Sequence, residues 1–152
     1  MTDTSTRIHI AASDPTFPAK REAAVALICA AITTIATPFG YTQTGTNWAR
    51  STHAGRSVIN LQRSRYGWDC CINLRFLAPD GTYPANSAWL TDDDIRIDRF
   101  YLPTEGHGTD KGVLIYLDVQ ANPASLELPM QVLRDRALPW LDAHHSGPPD
   151  HC

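Results

Sequence analysis

RSVINLQR (56–63), SRYG (64–67) and WDCCINLRFL (68–77) read together as a β-hairpin, and this stretch decides the fold. Both outer segments alternate in the period-two manner of a strand, while the four residues between them are turn formers. In the second segment Cys70, Ile72, Leu74 and Phe76 share one face, and Asp69, Cys71, Asn73 and Arg75 share the other. In the first, Ile59 and Leu61 are expected to face a core, leaving Val58, Asn60 and Gln62 on the opposite side.

Downstream, Ala78-Pro79-Asp80-Gly81 is a turn signal and Thr82 to Asp93 is loop-like. Asp94 to Tyr101 alternates as a further strand. A Gly-rich connection, Glu105 to Asp110, leads to KGVLIYLDVQ (111–120), the most apolar strand and the one expected at the centre of the sheet. Its Val113, Ile115, Leu117 and Val119 should point inward, with Tyr116 and Asp118 outward. A last helix should begin between Ser125 and Pro129 and run to about Ala143, with a kink at Pro139. Upstream, Gly45 to Arg50 reads as a short strand and His53-Ala54-Gly55 as a turn. Before them a helix should start near Pro18 with Thr16 as its cap and stop ahead of Pro38 and Gly40. Residues 1–14 are polar and expected to be loose, although Ile8-His9-Ile10 could add an edge strand.

Strands gathered between two terminal helices and joined by short turns indicate an α+β fold. The expected architecture is an antiparallel meander of about five strands with the N-terminal and C-terminal helices packed on one face. It forms a single domain over residues 1–143, followed by a disordered tail, HHSGPPDHC, at 144–152.

At 152 residues with 43% hydrophobic and 19% charged side chains, the chain can bury an ordinary core. A net charge of -3 argues against generic coating of nucleic acid. The charge is uneven: Tyr41 to Leu77 carries +4 (five arginines against Asp69), and the remainder carries -7 (eight basic against fifteen acidic residues). Arginine-biased codon usage explains that pattern blandly; a local carboxylate or phosphate site explains it more sharply, because guanidinium forks bind such groups bidentately. Cys29, Cys70, Cys71 and Cys152 form no disulfide framework, which fits a cytoplasmic location. The uncharged run AAVALICAAITTIA (23–36) is shorter than the ~20 residues a bilayer requires and reads as a buried helix, so no membrane association is expected.

If the three predicted strands are neighbours, one sheet face gathers Asn60, Gln62, Asn73, Arg75, Tyr116 and Asp118, with Arg63 at the strand end. Amides, a guanidinium, a phenol and a carboxylate on a rigid floor can hydrogen-bond a polar ligand. The plainer alternative is the half-solvated face that antiparallel sheets ordinarily have. Amides do not titrate, so such a face favours holding over proton transfer. None of the histidines stands at zinc-site spacing, and Asp92-Asp93-Asp94 lacks the spacing of a calcium loop. No metal or cofactor is therefore expected. Trp48, Tyr66 and Trp68 accompany the arginines and could stack on bases. Aromatics beside a turn more often pack across the hairpin.

Gly40-Tyr41 after a first helix, Thr46-Asn47-Trp48-Ala49-Arg50, Val58-Ile59-Asn60-Leu61-Gln62-Arg63-Ser64 and Ile72-Asn73-Leu74 together resemble the bacterial "domain of unknown function 4304" family. Asp94-Ile95-Arg96-Ile97 and Leu138-Pro139-Trp140-Leu141 are similar to its later segments. The resemblance spans roughly residues 20 to 142, with Tyr41 where the family usually has phenylalanine. It implies a small stand-alone bacterial domain and transfers no catalytic residue. The sequence therefore points to a non-catalytic binding module for a small anionic ligand or an acidic protein partner, using Asn60, Gln62, Arg63, Asn73, Arg75, Tyr116 and Asp118. The competing reading is a small metal-dependent hydrolase or nuclease-like enzyme built on Asp69, Asp118 and a loop histidine, His53 or His107.

Overall fold

The computed structural model describes residues 15–63, 69–77, 95–100, 102, 113–115, 119 and 123–146. Its first element is helix α1, Phe17–Ala36, with Thr16 in the N-cap position and a proline in the first turn. Thr16 makes no side-chain cap bond, so the start rests on the proline's fixed φ. A short 3₁₀ turn, Thr37–Phe39, follows and closes at Gly40, whose φ of 97° is left-handed. Ala24, Ile28, Ile32 and Ala36 are fully buried along one side of α1. By length and composition alone, Phe17–Phe39 could cross a membrane, so helix length does not distinguish the two readings. What defines α1 here is the burial of that side against a sheet.

The sheet follows as strands β1 (Thr42–Thr44), β2 (Asn47–Thr52), β3 (Gly55–Arg63), β4 (Asp69–Leu77), β5 (Ile95–Arg96) and β6 (Val113–Ile115). All pairings are antiparallel, in the order β1-β2-β3-β4-β5. Strand β6 also pairs with β4, along the Asp69–Cys71 end, while β5 pairs at Asn73–Leu74. A strand has two edges and β3 occupies one, so β5 and β6 share the other. Six strands thus fill five positions.

Several sequence expectations change here. Gly45 opens a turn, with φ of 63°, instead of a strand, and it joins β2 to an extra hairpin partner, β1. The strand expected over Asp94 to Tyr101 survives only as β5 and gives way to a 3₁₀ turn, Ile97–Phe100. Ile97 still reaches the core, fully buried, by that helical route. Among the described residues β6 is short and pairs only with β4, so it is not central. Its register sets Val113, Leu114 and Ile115 opposite Cys71, Cys70 and Asp69, and Val119, expected to point inward, is buried in the core. The expected turn at Ser64–Gly67, residues 1–14 and the loop at 82–93 lie outside the described residues.

The C-terminal helical segment begins with a 3₁₀ turn at Pro123–Leu126 and continues as α2 (Glu127–Val132), a π turn (Leu133–Ala137) and α3 (Leu138–Ser146). The π turn explains how Pro139 is tolerated. The Leu138 N–H bonds back to the Leu133 carbonyl, which moves the following turn off the register that a proline ring would strike. The helix runs to Ser146, three residues past its expected end, so His144 and His145 are helical.

One core joins all these elements. Trp48, Ile59, Leu61, Cys70, Ile72 and Leu74 from the sheet meet Val25, Ile28 and Ile32 of α1 and Met130, Leu133, Leu138 and Leu141 of the C-terminal segment. Opposed residues in an antiparallel ladder share a face, and Trp48–Ile59–Leu74 and Leu61–Ile72 are such rows. Both helical segments therefore pack on one face of the sheet, in an α+β architecture. Each fully buried Leu or Ile contributes about 1.5–3 kcal/mol. Trp48 is core, not a stacking platform: its ring is buried and its indole N–H donates to Thr33 Oγ1 of α1 at 2.9 Å.

Candidate functional site

The opposite face of the sheet carries the amides. Register pairs Asn47 with Asn60, Asn60 with Asn73, and Asn73 with Arg96, so these positions form one row across β2, β3, β4 and β5. Gln62 pairs with Cys71, and Val58 with Arg75, in the flanking rows. Asn60, Gln62, Asn73 and Arg75 are thus brought onto a single face.

Hydrogen bonds run along that row. Asn60 Nδ2 donates to Asn47 Oδ1 at 2.8 Å. Asn73 Nδ2 donates both to Asn60 Oδ1 at 3.2 Å and to Gln62 Oε1 at 2.8 Å. The Cys71 thiol is directed at the same Gln62 oxygen at 3.6 Å. A carboxamide has two hydrogens to donate, and those of Asn73 are both used. Its carbonyl oxygen is not: Asn73 Oδ1 is the one buried side-chain nitrogen or oxygen among the described residues with no hydrogen-bond partner. Leaving such an acceptor unmatched costs about 1–3 kcal/mol, so it stands out among the buried polar groups of the described residues.

The centre of this face is buried: Asn73 is 0%, Arg75 4%, Val58 7% and Asn60 8% exposed, whereas Asn47, Gln62 and Cys71 around it are intermediate. Period-two alternation separated the two faces correctly but carries no information on what lies above either of them.

Arg63 leaves the group. It pairs with Cys70, which puts it on the core face, and its guanidinium meets the Glu22 carboxylate of α1 bidentately, at 3.1 Å on both contacts. The Arg63 hydrogen bond is the leading reason the Glu22 carboxyl titrates below its usual range. Tyr116 and Asp118 lie outside the described residues. Asn47 joins the row although no strand-pair argument had singled it out. The signal was the hairpin β2–β3, whose register follows from the turn at His53–Ala54.

Asp69 and His53 do not converge. His53 is exposed in the β2–β3 turn beside Gly55, whereas Asp69 adjoins the Arg63 end of β3. Those ends are about 26 Å apart at roughly 3.3 Å per residue. Among the described residues no three His, Cys, Asp or Glu side chains are grouped to hold a metal ion. His107 lies outside them.

A second polar cluster, on the core face, escaped the sequence reading. Ser57 Oγ lies 2.7 Å from both Tyr41 Oη and His145 Nε2, and Thr52 Oγ1 lies 2.6 Å from His145 Nδ1. The Phe76 ring meets the imidazole edge-on at 5.1 Å. A serine within reach of a histidine nitrogen is the starting geometry of a nucleophile and its base. Ser57 is 0% and His145 5% exposed, however, and burial pushes the Tyr41 phenol up from its ordinary range. Ser57 Oγ and both imidazole nitrogens are already matched within the protein, so the cluster works as a clamp: it holds the end of α3 on β2 and β3, assisted by the Arg50–Asp142 ion pair at 2.6 Å. A histidine inside an expected tail gave no local sign of this, because its partners are about 90 positions away.

A groove of about 410 Å³ lies along α2, lined by Pro123, Leu126, Glu127, Met130, Gln131 and Arg134. Among the described residues its lining includes none from the sheet, and it is separate from the amide row. Comparison with protein-family models, with curated proteins and with solved structures finds no match.

Proposed function

We propose that the chain is a non-catalytic binding module that takes a small polar ligand on the amide-bearing face of its sheet. The observation that carries this reading is Asn73 Oδ1, a fully buried acceptor without a partner at the middle of an otherwise matched amide row. Amides at this density position a ligand and cannot exchange protons with it, which favours binding over turnover. The burial of Asn60, Asn73 and Arg75 favours a small molecule over the flat surface of an acidic protein. Arg75, 4% exposed, adds positive charge to this face, which favours an anionic group on the ligand; Arg63 lies on the core face and takes no part. Membership of the domain 4304 family and a cytoplasmic location belong to the same proposal. The latter is supported by Cys29, Cys70 and Cys71, which are not joined in disulfides.

The test is a thermal-shift series with phosphorylated and carboxylated metabolites on the wild-type chain, on Arg75→Lys and on Asn73→Ala. The reading expects at least one compound to raise the melting temperature of the wild type and to lose that effect in a folded variant. If no compound moves the well-folded wild type, the sheet face is structural and the proposal is wrong.

A further inference from the structure

We infer that the ligand of this face is recognised through a hydrogen-bond donor, an amide, amine or hydroxyl group that it presents to Asn73 Oδ1. The inference rests on the binding reading above and narrows its ligand class. Both donors of Asn73 are consumed inside the protein, by Asn60 Oδ1 at 3.2 Å and Gln62 Oε1 at 2.8 Å. The side chain is 0% exposed and its only unused hydrogen-bonding capacity is an acceptor. A ligand that brings only acceptors, such as a bare carboxylate, gains nothing at this atom.

The orientation of the amides is the critical premise, and the row fixes it. Turning Asn73 over would set its oxygen against Asn60 Oδ1 and Gln62 Oε1, so all the amides from Asn47 to Gln62 would have to turn together. Gln62 Oε1 would then be replaced by an NH₂ group facing the Cys71 thiol, now 3.6 Å from it. Sulfur is a poor acceptor and the thiol would lose the oxygen it donates to. The row therefore runs one way and leaves Asn73 an acceptor.

Sites built to match a buried polar group discriminate strongly against analogues that cannot complete the hydrogen bond. Three probes of similar size separate the possibilities: acetamide, which donates and accepts, acetone, which is neutral and only accepts, and acetate, which is anionic and only accepts. Each is titrated into ¹⁵N-labelled wild-type protein while the Asn73 side-chain NH₂ resonances are followed, with Asn73→Ala to assign them. Acetamide should shift the Asn73 pair in a saturable way, while acetone and acetate leave it in place. Equal shifts with acetone or acetate overturn the donor requirement. A shift with acetate alone, felt at Arg75, also overturns it while leaving the binding reading intact. Silence from all three probes, together with a blank metabolite series, removes both.

Discussion

Replacing Gly55 with alanine should be among the most damaging single-methyl changes this chain can undergo. Gly55 opens β3 at a φ of 148°, a conformation that side chains rarely adopt. A methyl group placed there would collide with the Leu77 carbonyl oxygen and lie 2.6 Å from Phe76 Cζ. Phe76 can swing aside, but Leu77 O is backbone and Leu77 is the register partner of Arg56. Relief requires prying the ends of β3 and β4 apart. Backbone strain contributes roughly 1–3 kcal/mol, and overpacking at a site that cannot relax another 1–3 kcal/mol. A combined loss of about 3–5 kcal/mol would remove much of the stability of a domain this size. At roughly 2–4 °C per kcal/mol for chains of 150 residues or more, the melting temperature should fall by about 6–20 °C. Circular-dichroism melts of Gly55→Ala beside Gly45→Ala make the measurement. Gly45 also has positive φ, 63°, but nothing within 4 Å of its added methyl, so it reports strain without the clash. A Gly55→Ala melt within 2 °C of the wild type, or one matching Gly45→Ala, would falsify the close approach of β3 and β4 at this end (about 1 kcal/mol being the smallest loss such a melt resolves).

His145→Ala should destabilise the fold by about 2–4 kcal/mol in urea unfolding, because it strips partners from buried Ser57 and from Thr52; a cost under about 0.5 kcal/mol would mean that α3 is not clamped. Tyr41 should ionise later than a free tyrosine because burial raises its phenol, the Ser57 bond only partly offsetting this. Its contribution to stability is then whole below the unfolded value of 10.0 and is lost as pH rises through the higher folded one. Stability measured across that alkaline range in wild type and Tyr41→Phe checks this, and parallel curves would refute it. The Arg63–Glu22 pair is surface-exposed, so Glu22→Gln should cost under about 1 kcal/mol and less in high salt. The lowered Glu22 carboxyl places that loss on the acid side, below its unfolded value of 4.5. A salt-independent cost would contradict a screened pair.

Much of the architecture was legible in residue order. The helix stop at Pro38–Gly40, the His53–Ala54 turn and the β3–β4 pair all follow from local steric rules. Asn60, Gln62, Asn73 and Arg75 share a face for the same reason, since side-chain direction along a strand repeats every second residue. The hydrophobic pattern of 111–120 misled because an apolar run marks burial without saying where in the sheet it lies. Arg63 was expected beside the amides of its strand, yet a glutamate 41 positions earlier claims it.

The chain by itself determined the α+β class, the antiparallel hairpin and the division of β3 and β4 into an apolar and an amide face. These are consequences of bond geometry acting over a few residues. Tertiary structure alone decided that the centre of the amide face is buried, that one asparagine oxygen in it lacks a partner, and that His145 reaches back to Ser57. Burial and hydrogen-bond matching depend on which distant segments meet, and no local pattern encodes that.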